Sequence, residues 1–278
     1  MNLKFEYRLT DRDFKVLREL VQTHTGIYLS DNKKALIYSR LRRRLKELGL
    51  RNFSQYCEIL ADEKINNETV LFINAVTTNI TSFFRESHHF DFIQENFNFN
   101  EHSKNTHPRR FRFWSAGCST GEEPYSLAMT IMDNIIGEEP RNIKILATDL
   151  ASSVLDVASE GIYANEKLKS LIPYRKNKWF SRLESKDNSY QVSDELRKMI
   201  YFRQLNLVGK WPVKGPFDAI FCRNVLIYFN LETQKIIIEN FANLLPMEGY
   251  LLLGHSESLL RVTDRFRLIG RTIYQKIK

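Results

Sequence analysis

Residues 117–123, Gly117-Cys118-Ser119-Thr120-Gly121-Glu122-Glu123, join a short apolar run, Phe111 to Ala116, to a segment of helical spacing, Pro124 to Ile136. Glycines at both ends of such a turn allow a tight bend and close approach of a ligand to the backbone. A pyrophosphate needs bare backbone N–H groups at a helix N-terminus and is met with G-x-G-x-x-G. This turn departs from that spacing, and its two glutamates disfavour phosphate. A phosphate-free cofactor carrying cations suits them better, and S-adenosylmethionine, with an ammonium and a sulfonium, is one. Asp149 follows the apolar run Ile143 to Thr148 and is placed to accept hydrogen bonds from ribose hydroxyls. Asn206-Leu207 follow Ile200 to Leu205, and Arg223-Asn224, with Tyr228 beyond them, follow Phe217 to Cys222. Second readings stand beside these. Glu122 and Glu123 also suit the first turn of a helix, Asp149 could cap the helix from Ser152, and Tyr228 suits a core.

The elements that must position these residues alternate. Strand-like runs at 111–116, 143–148, 200–205, 217–222 and 250–254 are separated by helical patterns such as Ser152 to Ser159 and Leu231 to Leu245. Parallel neighbours need crossover connections, so this alternation predicts an α/β, mostly parallel, doubly wound sheet whose ligands bind at the carboxyl ends of the strands. Arg267 to Lys276 reads as two final antiparallel strands. Gly161 to Met199 is too long for one connection and carries Trp179, Phe180, Tyr190 and Val192, which predicts an inserted β-subdomain. Ahead of the sheet, Thr10 to Val76 is helical throughout. Thr10 and Asp11 cap a first helix using Phe14, Leu17 and Val21, and Ser30 or Asp31 caps a second with Ile37, Leu41, Leu45 and Leu48 as its core stripe and Gly49 at its end. The reading is therefore an all-α N-terminal domain over 1–77 and an α/β domain over 78–278, with Glu95 to Arg110, Asn-rich and containing Pro108, as a linker.

The net charge of +8 is local: residues 31–51 hold eight Lys or Arg against Asp31 and Glu47. Cys57, Cys118 and Cys222 are odd in number and widely spaced, which suggests neither a disulfide frame nor a zinc site. His88 and His89 are adjacent, so their side chains are expected to point apart, and no metal site is expected. No apolar run reaches the roughly 20 residues of a membrane span, and the N-terminus lacks a signal-peptide core, so a cytoplasmic location without membrane insertion is expected.

Four blocks, in order, carry a resemblance. Thr78-Asn79-Ile80-Thr81-Ser82-Phe83-Phe84-Arg85-Glu86, Trp114 to Ser126, Ala147-Thr148-Asp149-Leu150 and Phe221 to Phe229 make the chain similar, over nearly its whole length, to the chemotaxis receptor methyltransferases (CheR family). The resemblance implies a Rossmann-like class I methyltransferase that moves a methyl group from S-adenosylmethionine to receptor glutamates. It implies that Asn79, Thr81 and Arg85 reach the cofactor, with Arg85 pairing its carboxylate, a group that a guanidinium fork binds well. It also implies that Glu123 contacts the cofactor, Asp149 its ribose and Asn206-Leu207 its adenine side. Arg223, Asn224 and Tyr228 would then line the methyl-transfer end, with Arg223 and Tyr228 orienting the acceptor or donor. Arg40, Arg42, Arg43, Arg44 and Lys46 match the family's receptor-docking helix by position and charge. In some members a glycine-containing hairpin loop tethers the receptor's C-terminal pentapeptide. The corresponding Leu183 to Ser189 has no glycine, so tethering is expected to be absent.

A glutamate is ionised at neutral pH and its oxygen attacks without a general base, so positioning residues and no triad are expected. A nucleic-acid methyltransferase using the basic helix is the rival reading, but that helix lacks the interleaved aromatics that stack bases. A non-catalytic S-adenosylmethionine-binding module is another. The remaining expectations are recruitment to receptor arrays, a monomer, and no nucleic-acid partner.

Overall fold

A computed structural model of the chain describes residues 7–61, 66–100, 109–137, 142–184 and 188–278. They fall into two compact units: Met1–Thr78 with Tyr228–Thr233, and Asn79–Ile227 with Gln234–Lys278.

The first unit is helical. Helix α1 (Asp11–Thr25) starts at Thr10, whose hydroxyl accepts the Asp13 N–H at 3.1 Å while the Asp13 carboxylate accepts the Thr10 N–H at 3.1 Å, so two end donors are satisfied reciprocally. A single turn of 3-10 helix at Asp31–Lys33 leads into α2 (Lys34–Glu47), and α3 (Phe53–Ala61) and α4 (Asn66–Val76) follow. Ile37, Leu41 and Leu45 of α2 are buried against Phe14, Leu17 and Val21 in one apolar core. Leu48, expected to extend the stripe, is instead 38% exposed. Helix α2 stops at Glu47, and Leu48 sits at its C-cap where the chain turns through Gly49 at φ +65, so helical spacing no longer aims it inward. Tyr38 is buried beside the stripe.

The second unit opens with α5 (His88–Asn96), then β1 (Phe111–Ala116), α6 (Glu122–Asp133), β2 (Ile143–Asp149) and α7 (Ser152–Glu160). Next come β3 (Ile162–Ala164), α8 (Pro173–Trp179), β4 (Phe180–Arg182), β5 (Ser189–Val192) and α9 (Asp194–Arg197). The rest is β6 (Ile200–Gln204), β7 (Ala219–Cys222), α10 (Leu231–Leu244), β8 (Tyr250–Leu253), β9 (Phe266–Gly270) and β10 (Ile273–Lys276). A seven-stranded sheet has the order β6-β2-β1-β7-β8-β10-β9; all its pairings are parallel except β10 against β8 and β9. The inserted subdomain is an antiparallel sheet in the order β3-β5-β4.

From β1 the chain proceeds outward to β2 and β6, then returns to lay β7 on the other side of β1. The strand order reverses there, so a crevice opens between the carboxyl ends of β1 and β7, where loops run to opposite faces. Residues 97–100, expected as part of a solvated linker, pack instead: Phe97 and Phe99 lie 5.3 to 6.3 Å, centroid to centroid, from Phe111 and Phe113, and Phe99 is buried. Alternating Phe in a polar stretch buries one aromatic face against β1 despite the flanking Asn residues. Residues 101–108 of that stretch lie outside the described residues, as do 185–187 of the hairpin loop on which the expectation of no tethering rests.

Candidate active site

At the end of β1, Gly117 takes φ +89, and a Cβ there would come within 2.4 Å of Val225 Cγ2, so the turn after β1 can lie against the turn after β7 only with glycine at this position. The N–H groups of Gly117 and Cys118 both donate to Thr148 O, at 2.8 and 2.9 Å, which ties the turn to the end of β2. Phe84, Glu86, Ser119 and Asn224 all have φ between 49 and 59, left-handed backbone that non-glycine residues seldom adopt. All four lie in the segments around this crevice, and such strain persists where the surroundings over-determine it.

The two glutamates of the turn part company. Glu122 is fully buried; its carboxylate takes Lys167 Nζ at 3.0 Å and the Thr120 hydroxyl at 2.6 Å, so it anchors the start of α6 to the inserted subdomain. Glu123 accepts the Ser115 hydroxyl at 2.7 Å and pairs with Arg223 at 3.2 Å. Burial raises the Glu123 carboxyl above its ordinary value, with Arg223 and Ser115 opposing.

Arg223 is the hub. Its side chain, 2% exposed, pairs with Glu123 and with Glu86 at 3.3 Å and donates to Arg85 O, and its guanidinium lies 5.6 Å over the Phe90 ring. Glu86 accepts His255 Nδ1 at 2.8 Å and the His255 N–H at 3.3 Å. Burial would raise the Glu86 carboxyl, but the His255 hydrogen bonds and the Arg223 charge outweigh it and hold it down at about 2. His89 is fully buried, and burial, with the Arg223 and His88 charges adding, pushes it down to about 3, so it is neutral at pH 7. The rings of His88 and His89, expected to point apart, lie 4.1 Å from each other, and both Nε2 atoms meet Arg271 O, at 3.1 and 3.3 Å. Among the described residues no group of His, Cys, Asp or Glu could hold a metal ion.

Asp149, last residue of β2, accepts the Ser119 N–H at 2.8 Å and the Ala151 N–H at 3.0 Å, and burial raises its carboxyl while those amides oppose. The N-cap of α7 is Ala151, so Asp149 bridges two turns rather than capping that helix. Asn79 and Thr81 join the same crevice from the segment before α5: Asn79 O accepts the Ser119 hydroxyl at 2.9 Å and Thr81 O meets Lys167 Nζ at 3.5 Å. Half-buried Arg85 donates to Ile80 O at 3.1 Å, and its charge lowers the Glu123 carboxyl. Beyond β6, Asn206 Oδ1 accepts the Val208 N–H at 3.0 Å, and buried Leu207 presents its carbonyl to Trp211 Nε1 at 3.1 Å. Tyr228 falls in the other unit, where its carbonyl accepts the Tyr28 N–H at 2.9 Å.

The donor set fits S-adenosylmethionine. Carboxylates at the ends of β1 and β2 suit cations and ribose hydroxyls, and Arg85 supplies a guanidinium for a carboxylate. Glu86, His255, Ser115 and Glu257 escape a reading by residue type. Glu86 was visible only as a charge within a motif, Glu257 lies outside every motif, and nothing short of the fold says which carboxylates meet Arg223.

The five residues of α2 matched to a receptor-docking helix also divide. Arg40 donates to Val76 O, to Thr77 O at 2.7 Å and to Thr78 Oγ1 at 2.8 Å, closing the end of α4. Arg44 bonds the buried Glu68 carboxylate at 2.6 and 3.1 Å, and Tyr56 donates to that carboxylate at 2.8 Å. Arg42, Arg43 and Lys46 are exposed.

Two families match the chain: CheR methyltransferase, SAM binding domain, over residues 79–275, and CheR methyltransferase, all-alpha domain, over residues 12–77. The sequence is 42% identical over 272 residues to the chemotaxis protein methyltransferase of Escherichia coli (strain K12), covering 96% of this chain and 91% of that protein. It is 41% identical over 271 residues to chemotaxis protein methyltransferase 2 of Pseudomonas aeruginosa, covering 97% and 94%. It is also 41% identical over 272 residues to the chemotaxis protein methyltransferase of Borreliella burgdorferi, covering 96% and 95%.

Proposed function

We propose, since this chain belongs to the CheR methyltransferase family, that it esterifies glutamate side chains on the cytoplasmic helices of chemotaxis receptors. Membership makes it an S-adenosylmethionine-dependent methyltransferase of chemotaxis; the proposal adds the acceptor and the residues. The observation that carries it is the convergence of Glu123, Arg223 and Glu86 at the strand-order reversal, with Asp149 bonded to the turn that leads to Glu123. S-adenosylmethionine, when bound, supplies a methyl group on a sulfonium and leaves as a neutral thioether.

Arg85 pairs the cofactor's carboxylate, Glu123 its cationic end and Asp149 its ribose, with Asn79 and Thr81 beside them and Asn206-Leu207 at the adenine. Arg223 is held through its two terminal nitrogens by two carboxylates and a carbonyl. Its work is to hold Glu123 and Glu86 in place, and with Asn224 it forms the wall at the transferring end. An acceptor glutamate arrives ionised, so the chain's task is to align it and exclude water. Arg42, Arg43 and Lys46 are the exposed charges of α2 that meet an acidic receptor helix, Arg43 while also paired with Glu47 at 2.8 Å, and Arg40 and Arg44 support the domain that presents them.

The test is transfer of labelled methyl to membranes bearing the organism's own receptors, and separately to RNA. Label on receptors that mild alkali releases as methanol is the expected result, because carboxyl methyl esters hydrolyse easily. Label confined to RNA, or label that resists alkali, sinks the proposal.

A further inference from the structure

We propose that Glu257 is a positioning residue that locks the turn after β7, and thereby the Arg223-Asn224 pair, in its cofactor-binding form; this rests on the S-adenosylmethionine reading of the site. Glu257 is 6% exposed and follows β8 by four residues. Its Oε2 accepts the N–H groups of Gly254 at 2.7 Å and Asn224 at 2.8 Å, and its Oε1 those of Val225 at 2.9 Å and Ile227 at 3.3 Å. Strands β7 and β8 are parallel neighbours with Cys222 opposite Leu253, so one side chain closes the carboxyl ends of both.

Successive amides converging on one anion form a nest, here filled from within the protein. Asn224 is held at φ +59, a left-handed conformation that Asn tolerates better than most residues. Gly254 packs against this turn, where a Cβ would come within 2.4 Å of Asn224 Nδ2 and 2.7 Å of its N. The turn is therefore held both by the carboxylate and by close packing on Gly254. Arg223 sits at its start and carries Glu123 and Glu86, so a shift of the turn is passed to the carboxylates of the site. A carboxylate is acceptor-only, and a glutamine of the same shape would aim an NH₂ at backbone N–H groups.

The experiment measures S-adenosylhomocysteine affinity by calorimetry, and both Michaelis constants, for wild type, Glu257→Gln, Asn224→Gly and the double variant. Losing charge-assisted acceptors at this turn is expected to weaken cofactor affinity about tenfold or more and to raise the KM for S-adenosylmethionine in parallel, leaving the KM for receptor unchanged. Glycine adopts the left-handed form without help, so the double variant should bind no more weakly than the weaker single variant. Wild-type affinity in Glu257→Gln, or losses that simply multiply in the double variant, overturns the proposal. Should Glu257→Gln not fold, hydrogen exchange on wild type decides: the amides of Asn224, Val225, Ile227 and Gly254 should be protected together and gain protection with S-adenosylhomocysteine. Exchange at exposed-loop rates overturns it. A wild type that binds no S-adenosylhomocysteine refutes the cofactor reading instead, whereas a wild type that binds while Glu257→Gln binds equally refutes only the role of Glu257.

Discussion

Arg85 and Arg223 are both guanidiniums at the crevice, and their surroundings give them opposite consequences on removal. Arg223→Ala leaves the Glu86 and Glu123 carboxylates without their cation, with only His255 and Ser115 as hydrogen-bond partners. Breaking such a buried pairing costs about 3–5 kcal/mol, so a clear fall in melting temperature is expected. Arg85→Ala removes a half-buried group bonded to one carbonyl, and the expected result is an unchanged melting temperature with S-adenosylhomocysteine affinity down by roughly 10–100-fold, the worth of a charge-assisted hydrogen bond. Acid makes a second test. His89 is held at about 3 in the folded state against an ordinary 6.5, so between those values the unfolded chain binds the extra proton. Stability therefore falls as pH drops from 6.5 towards 3, by up to about 1.4 kcal/mol per unit, and His89→Gln should flatten that part of a pH-denaturation profile. Glu86 lies below its unfolded value, so its contribution is present above about 4.5 and is lost only as pH falls through about 2. Glu123 and Asp149 are raised, so they lose charge at higher pH than ordinary carboxylates, and affinity for a cationic cofactor should weaken first on acidification.

At the scale of an element, α2 shows how one helix serves both a core and a surface. Its apolar positions every three or four residues were readable from spacing, and Ile37, Leu41 and Leu45 are fully buried. Its charges were readable only as a count. Which arginines are spent internally depends on where α4 ends and on Glu68, 24 residues beyond Arg44, neither of which helical periodicity contains. Arg44→Ala leaves buried Glu68 with Tyr56 alone and should cost about 3 kcal/mol in denaturant unfolding. Arg42→Ala should change stability by less than about 0.5 kcal/mol and lower only the rate of receptor methylation. Equal stability losses in the two variants would contradict this division.

For the molecule as a whole, six of the eight net positive charges sit in residues 31–51, and the carboxylates of the crevice belong to the other unit. Exposed charges act over a Debye length of about 8 Å at physiological salt, whereas buried pairs are screened much less. Raising ionic strength is therefore expected to slow methylation of receptor-bearing membranes by raising the KM for receptor, while S-adenosylhomocysteine affinity by calorimetry changes little. A parallel loss of both would argue against docking through the basic helix.

The sequence by itself determined the strands of the main sheet and their exits, but not helices α5, α8 and α9. Hydrophobic periodicity is local, and a parallel sheet obliges ligand-binding residues to gather where its strands end. Gly117, Glu123, Asp149 and Arg223 were all legible as polar exits of apolar runs. Only the tertiary structure decided their partners. Adjacent Glu122 and Glu123 part company because Lys167 comes from the inserted subdomain and Arg223 from the turn after β7, 45 and 100 residues away. The same holds for Glu257, whose four amides come from two strand ends. Partners in space are set by strand order, and strand order is a property of the whole packed sheet that no window of residues contains.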